Sequence, residues 1–241
     1  MKFLTIFCLL IDFHAHAKPL AVSSSNEKTS LVELYTSEGC SSCPPAEAFI
    51  NKLSSHPGLF DSFVPVVFHV DYWNYLGWKD PYSSKANSSR QRKLFRAMGA
   101  NNVYTPGLVK DGLEFKDWRR GVAKNTKAAK KVGQLSLKLE NSIAKLSWAP
   151  LRSNTLKRYE FHIATLLMGV KSKVTSGENS GKMLLHNFTV CSLSSEKTTK
   201  KNFKLKVDLC PDISSRKAIA VWVTEADGHK PIQAIGGLIL N

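Results

Sequence analysis

Two cysteines, Cys40 and Cys43, constrain the fold of this 241-residue chain more than any other feature of its sequence. They are separated by two serines and stand between an apolar run, Leu31–Tyr35, and a segment with helically spaced apolar residues, Ala46–Leu53. Two thiols three residues apart at a helix start can form and break a disulfide. The unpaired N–H groups and the positive dipole end of the helix favour a thiolate there. The pattern therefore predicts a strand–loop–helix unit with a cysteine pair in its loop.

The N-terminus has the layout of a secretory signal peptide. A positive start precedes an apolar stretch, Phe3–Ile11, and an A-x-A site that ends at Ala17. We expect cleavage after Ala17, a flexible segment over residues 18–30 and a secreted or periplasmic location. The alternative is a buried first strand or helix. In a secretory compartment disulfides form and persist, which bears on the remaining cysteines.

The apolar periodicity changes near residues 131–134. Before this point strands alternate with helical segments, including a buried strand at Phe63–Val70 and a helix from Ser89 to Met98. After it the helical period fades into short alternating runs separated by turns, which is typical of a β-sandwich. These runs are Leu135–Leu139, Ile143–Trp148, Tyr159–Leu167, Leu184–Cys191, Phe203–Leu209, Ala218–Thr224 and Ile232–Leu240. The sequence thus predicts an α/β domain followed by an all-β sandwich domain.

The chain is basic, with 34 Lys+Arg against 19 Asp+Glu and a formal net charge of +15. Outside the cytosol this excess is not a signal for nucleic acid, so we expect no nucleic-acid partner. Much of the charge falls within Lys116–Lys131, which we predict to be a helix with one solvated face. The sharper alternative is weak contact with an anionic surface.

Three segments resemble known proteins. The strand before the cysteines, the C-x-x-C pair and Val103–Gly112 look like a thioredoxin fold. More narrowly, Thr36–Ala46 and His69–Pro81 resemble an uncharacterised family of bacterial secreted, thioredoxin-like proteins. The resemblance implies a thioredoxin-like domain over residues 31–132, and the alternating runs after it predict the β-sandwich domain over residues 133–241.

The thioredoxin comparison also implies site residues. Cys40, as the exposed first cysteine, would be the nucleophile, and Cys43 would resolve the mixed disulfide. Pro106 matches the cis proline of that fold, which lets the backbone of Thr105 meet an extended substrate. Glu33 lies near the place of the buried acid that moves protons for the second cysteine. The implied function is thiol–disulfide exchange, as a thiol–disulfide oxidoreductase without a cofactor that acts on protein thiols or disulfides with an unidentified redox partner.

An aromatic loop follows the second strand. Tyr72, Trp73 and Trp78 stand where a parallel strand hands over to a loop, and their rings could line a peptide or sugar groove. The alternative is that the rings cover the protein's own core. If the aromatic loop binds a ligand and the cysteines take no part, the protein is a non-catalytic binding module.

Two other interpretations of the cysteine pair remain open. Cys40 and Cys43 could form an inert structural disulfide. Alternatively, two thiolates with the imidazole of His69 could bind or deliver copper or zinc.

Cys191 and Cys210 each fall at the end of a predicted strand. Four cysteines allow three pairings, and we predict that Cys40 pairs with Cys43 and Cys191 with Cys210. A structural disulfide that closes a loop of about 20 residues stabilises a fold by roughly 3 kcal/mol in the chain-entropy model.

Overall fold

The computed structural model describes residues 19–122, 130–151, 158–210 and 216–239. Within these ranges, β-strands form eight-, four- and two-stranded sheets. The strands are β1 (Leu20–Ser23), β2 (Ser30–Thr36), β3 (Phe63–His69), β4 (Gly107–Lys110), β5 (Leu113–Glu114), β6 (Gly133–Glu140), β7 (Ile143–Pro150), β8 (Tyr159–Met168), β9 (Val170–Lys173), β10 (Met183–His186), β11 (Thr189–Thr198), β12 (Asn202–Lys206), β13 (Arg216–Glu225) and β14 (Gln233–Ile239). The helices are α1 (Pro44–Lys52) and α2 (Lys85–Ala97), with 3-10 turns at Leu53–Ser55, Asn74–Leu76 and Trp118–Arg120.

The largest sheet joins strands from both halves of the chain. Its order is β14-β13-β8-β11-β3-β2-β4-β5. β2 and β3 run parallel, and β11 meets β3 in parallel at the pair Thr189 and Val67, while the other neighbours are antiparallel. A hydrogen bond from the Val67 N–H to the Phe188 carbonyl, at 2.8 Å, marks this junction.

The predicted fold class, an α/β thioredoxin-like domain followed by an all-β sandwich, was therefore wrong. The described chain is mostly β-sheet and has no helix-rich thioredoxin domain. The prediction treated each half of the sequence as a unit that completes its own sheet. In the structure the outer edge of β3 is instead covered by β11, so strands from before and after residue 133 form one layer.

At β8 two cores lie on opposite faces of this sheet, because successive residues of a strand point to opposite sides. Around β2 and β3 one of these cores extends over both faces, with α1 on one face and α2 on the other. Phe161 and Ile163 of β8 pack with the four-stranded sheet, whose order is β1-β6-β7-β12. Ala164 and Leu166 of the same strand belong to the other core, which also contains residues of α1 and α2. The sheet is thus covered on both faces.

Several predicted segments fall partly or wholly outside the described ranges. The signal peptide, residues 1–17, does so entirely. Of the helix predicted over Lys116–Lys131, the described part contains the 3-10 turn Trp118–Arg120, and residues 123–129 are not described. Within the expected flexible segment, Leu20–Ser23 forms β1 and pairs with β6. In the described part of the chain, no helix is long and apolar enough to cross a membrane.

We predict that Gly133→Ala destabilises the fold strongly. Gly133 has a φ of 124°, and an added Cβ would lie 2.3 Å from the Ala149 carbonyl oxygen, which is backbone and cannot turn aside. The expected loss is about 3 kcal/mol, the sum of backbone strain and overpacking. Urea denaturation measures it.

Gly99→Ala is the matched control, because Gly99 also has a positive φ, 83°, but an added Cβ there meets nothing within 4 Å. It should cost about 1–2 kcal/mol, from backbone strain alone. Equal losses for the two variants would contradict the proposed clash at Gly133.

Candidate functional site

The cysteine pair lies in the loop between β2 and α1. Cys43 is the N-cap residue of α1, and the two prolines that follow it occupy the first helical positions, where a missing N–H leaves no helical bond unmade. Cys40 and Cys43 form a disulfide with their Cα atoms 5.5 Å apart. Cys191 and Cys210 form a second, with Cα atoms 6.1 Å apart. The predicted pairing is confirmed.

The first disulfide is buried. Cys40 is 2% exposed and Cys43 is fully buried, whereas the two residues between them, Ser41 and Ser42, are exposed. The expectation of an exposed Cys40 was therefore wrong for the oxidised protein. The loop presents its serines to solvent and turns its sulfur atoms inward.

A segment from the distant half of the chain covers the cysteine loop. We call residues 174–182, between β9 and β10, the covering loop. The side-chain amide of its buried Asn179 donates to the backbone carbonyls of Glu38 and Cys40, at 2.8 and 2.9 Å. The Glu178 carboxylate accepts from the Ser41 N–H at 3.1 Å. These hydrogen bonds hold the covering loop against the backbone of the cysteine loop.

Directly after the covering loop, His186 of β10 enters a buried group of charged residues. Its Nε2 lies 2.8 Å from Glu38 Oε1, in the cysteine loop, and its Nδ1 lies 2.8 Å from Glu47 Oε2, on α1. The other oxygen of Glu47 accepts from the Thr36 hydroxyl at 2.6 Å. All four residues are buried. The imidazole of His186 therefore links β10, the cysteine loop and α1.

His69, at the end of β3, lies beside His186 with the ring centroids 5.0 Å apart. Its Nδ1 contacts Asp80 Oδ2 at 2.7 Å, and its Nε2 is buried without a hydrogen-bond partner. Asp80 also accepts from the backbone N–H groups of Glu38 and Tyr82, each at 2.9 Å. The carboxylate of Asp80 thereby fixes both the His69 ring and the cysteine loop.

The two carboxylates on either side keep His186 charged. Burial by itself would lower the pKa of His186, but the hydrogen bonds and charges of Glu38 and Glu47 outweigh it and raise that pKa to about 9. Burial would likewise raise the pKa of Glu47, yet the hydrogen bond and charge of His186 lower it. The pKa of Asp80 is lowered, against its burial, by the charge and hydrogen bond of His69.

Glu33, the acid that the resemblance placed near the cysteines, lies on the other face of the large sheet. Glu33 and Thr36 are three positions apart in β2, so their side chains lie on opposite faces of the sheet, and the Thr36 hydroxyl is bonded to Glu47 of α1. The Glu33 carboxylate accepts from Arg90 of α2 at 2.8 Å and from the Tyr35 hydroxyl at 2.9 Å. The buried acids on the cysteine side are Glu38, Glu47 and Asp80, and of these Glu47 lies on α1, whose N-cap residue is Cys43.

Aromatic residues of the loop after β3 pack against the cysteine loop and bond to it. The Trp78 indole donates to Glu38 Oε2 at 2.7 Å, and the Trp73 indole donates to the Thr105 hydroxyl at 2.7 Å. Trp73 also packs against Gly39, where an added Cβ would lie 3.1 Å from the Trp73 Cβ.

The neighbouring Tyr72 hydroxyl donates to Gln91 at 3.1 Å. The Thr105–Pro106 peptide bond is cis. Trp73 therefore connects the cysteine loop to this bond, while substrate roles for Tyr72, Trp73, Trp78, Thr105 and Pro106 stay predictions.

One group of possible metal ligands converges within the described residues. It consists of Glu47, His69 and His186, whose ligand atoms lie within 4.8 Å of one another. The set that the sequence suggested, His69 with Cys40 and Cys43, is not the one brought together here. His186 was missed because it lies 148 positions from its partner Glu38, and nothing local in the sequence marks the contact.

We predict that Glu38→Gln destabilises the protein by about 3 kcal/mol, because it leaves a buried imidazolium with one carboxylate instead of two. Glu140→Gln is the control: Glu140 pairs with Lys145 at 3.6 Å with both side chains more than two-fifths exposed. That change should stay within about 0.5 kcal/mol of the wild type. Urea denaturation at pH 7 compares them, and similar losses would contradict a central role for Glu38.

Comparison with solved structures supports the fold. A crystal structure of protein AGR_C_4864 from Agrobacterium tumefaciens aligns with a TM-score of 0.61 and 24% identity, over 89% of this chain and 95% of the other. HBP35 of Porphyromonas gingivalis aligns with a TM-score of 0.55 and 13% identity, over 89% of this chain and 76% of the other. No curated protein matches the sequence. A family described as "Protein of unknown function (DUF1223)" matches residues 31–224, and the chain belongs to that family.

Proposed function

We propose that the protein carries out thiol–disulfide exchange through Cys40 and Cys43, acting on protein thiols or disulfides in a secreted or periplasmic compartment. The observation that carries the proposal is the position of this disulfide, in a C-x-x-C loop at the start of α1 and beneath a cover that belongs to another part of the chain. The signal-peptide pattern at the N-terminus supports the location. Such a compartment also maintains disulfides, which suits a protein with two of them.

In the reductive direction, the Cys40 thiolate attacks one sulfur of a partner disulfide, and the partner's other sulfur leaves as a thiolate that takes up a proton. The Cys43 thiolate then attacks the Cys40 sulfur of the mixed disulfide and releases the partner's second thiolate. Two electrons pass to the partner, and the protein is left with the Cys40–Cys43 bond. The oxidative direction is the reverse.

The surroundings of the pair support proton exchange during these steps. Glu47 is the first ionisable residue after Cys43 along α1, and its backbone N–H donates to the Cys43 carbonyl at 3.2 Å. Its carboxylate is joined through His186 to Glu38, in the cysteine loop. We assign Glu47, rather than Glu33, as the acid that serves the buried sulfurs.

Because Cys40 is buried, exchange requires the covering loop to move away. Among the described residues, the backbone of the cysteine loop is bonded to the covering loop by two hydrogen bonds from Asn179 and one between Glu178 and Ser41. Glu178 is exposed, so its bond competes with water. The cover therefore limits the rate at which partners reach the disulfide.

We predict that Cys40 is the reactive sulfur of the pair. After reduction, a Cys43→Ser variant exposed to oxidised glutathione should form a mixed disulfide at Cys40 at least about tenfold faster than a Cys40→Ser variant forms one at Cys43. The helix start lowers the thiol pKa of both cysteines, which raises their thiolate fractions at pH 7. Cys40 keeps a small exposed surface whereas Cys43 is fully buried, so a partner disulfide reaches Cys40 first. Mass spectrometry of peptides locates and times the adduct.

Equal rates for the two variants would contradict the assignment of the nucleophile. A reduction potential below about −300 mV, with an unreactive Cys40, would instead identify a structural disulfide. Cys210, left free by Cys191→Ser, provides a reference thiol, because Cys210 is partly exposed and lies at no helix start.

We predict that Asn179→Ala accelerates reduction of the Cys40–Cys43 bond by dithiothreitol about tenfold. The change removes two buried hydrogen bonds that close the cover, and a neutral hydrogen bond contributes about 1 kcal/mol. Ser180→Ala is the control, since the Ser180 hydroxyl is exposed and bonds only within the covering loop, to the Thr175 carbonyl. An unchanged rate in Asn179→Ala would show that the cover does not control access.

A further inference from the structure

The second imidazole of the buried group has an atom that nothing in the fold accounts for. His69 is fully buried, its Nδ1 contacts the Asp80 carboxylate, and its Nε2 has no hydrogen-bond partner. In the neutral form of the ring, the carboxylate at Nδ1 holds the proton on that nitrogen, so Nε2 carries the free lone pair. Buried polar atoms are nearly always satisfied in native proteins, and a bound ion is one established explanation for an exception.

The atoms around His69 are metal ligands. One ligand atom from each of Glu47, His69 and His186 lies within 4.8 Å of the other two. Tetrahedral ligands at roughly 2.0–2.1 Å from a zinc ion stand about 3.3 Å apart. When zinc binds, the 2.8 Å distance between His186 Nδ1 and Glu47 Oε2 must therefore lengthen slightly. The longest distance among the three ligand atoms, at most 4.8 Å, must shorten. Rotation of the side chains can produce both changes.

Each candidate ligand is oriented by a second group, as in natural zinc sites. Asp80 accepts from His69 Nδ1, and Glu38 accepts from His186 Nε2. The Thr36 hydroxyl donates to the Glu47 oxygen that does not contact His186. These contacts occupy His69 Nδ1, His186 Nε2 and Glu47 Oε1, and leave His69 Nε2, His186 Nδ1 and Glu47 Oε2 for a metal.

The charges also favour a cation. Three buried carboxylates, Glu38, Glu47 and Asp80, contact two imidazoles, so one negative charge remains even when both rings are protonated. A divalent ion between Glu47 and His186 would replace the proton that lies between Glu47 Oε2 and His186 Nδ1 in the metal-free protein. The buried group then keeps its hydrogen bonds to the outer carboxylates.

We propose that Glu47, His69 and His186 bind one zinc ion beneath the covering loop. Two histidines, one glutamate and an open fourth position form a ligand set that zinc proteins use. The site does not include the cysteines, so it goes beyond the exchange function and does not depend on it. The two proposals share Glu47, which while it binds zinc does not exchange protons with the sulfurs.

The test uses the full chain with its disulfides formed and any free thiols blocked with iodoacetamide, which excludes thiolate ligands. Because the site is closed in the folded state, the protein is unfolded in urea, stripped with EDTA, freed of EDTA by dialysis in urea, refolded with zinc chloride and desalted. We expect about one zinc ion per chain by mass spectrometry of the metal. Wild-type protein that retains no zinc would overturn the proposal.

Variants identify the ligands. Glu47→Gln, which preserves the side-chain shape, and His69→Gln should each reduce retained zinc to the background level. His162→Gln is the matched control, since His162 is also buried but bonds to Ser195, away from the site. Circular dichroism confirms folding, and if His69→Gln fails to fold, Glu47→Gln decides alone. Zinc retention by Glu47→Gln equal to wild type would overturn the ligand set.

Two measurements separate ligands from residues that only position them. Glu38→Gln and Asp80→Asn should lower zinc affinity by about 10–100-fold without abolishing binding, as changes to outer-shell partners do. Protein refolded with cobalt(II) should show visible bands of a four-coordinate ion with nitrogen and oxygen ligands. Only the weak bands of a six-coordinate cobalt ion, the same in Glu47→Gln as in the wild type, would refute the assignment.

Discussion

The charged His186 ring between Glu38 and Glu47 is the interaction on which the candidate site depends. Removing charged groups from water costs several kcal/mol for each ion, and only close pairing in good geometry offsets that cost. None of the three residues is therefore stable in the interior without the other two. Because they come from β10, the cysteine loop and α1, their pairing fixes these three elements against one another and places the covering loop over the disulfide.

Local elements of the fold could be predicted from the sequence. The strands β2 and β3 and the start of α1 follow from apolar runs and from the prolines after Cys43. The start of α2 was misplaced because Ser84 caps the helix by accepting from the Asn87 N–H, five residues before the predicted Ser89. The run Leu184–Cys191, predicted as one strand, is split into β10 and β11 at Phe188, whose φ of 59° is unusual for a bulky residue.

The site was only partly predictable, for a physical reason that β2 illustrates. All seven of its residues are buried, since both faces of the central sheet are covered. A strand buried on both faces shows no alternation of polar and apolar residues. The sequence therefore does not reveal which face Glu33 occupies, and the resemblance assigned it to the cysteine side. The disulfide pairing could be predicted because it follows from cysteine spacing, whereas the role of Glu47 and His186 depends on contacts between remote segments.

The pairing of β3 with β11 has a consequence for how the chain is made. Thr189 emerges from the ribosome roughly 120 residues after β3, which at about 5–20 residues per second takes about 6–24 s. Throughout that interval the nascent chain carries an uncovered edge of Val- and Phe-rich strand, a surface on which other chains can pair. The risk that β3 pairs with another chain is therefore greatest before β11 has been made, and it ends when Thr189 pairs with Val67.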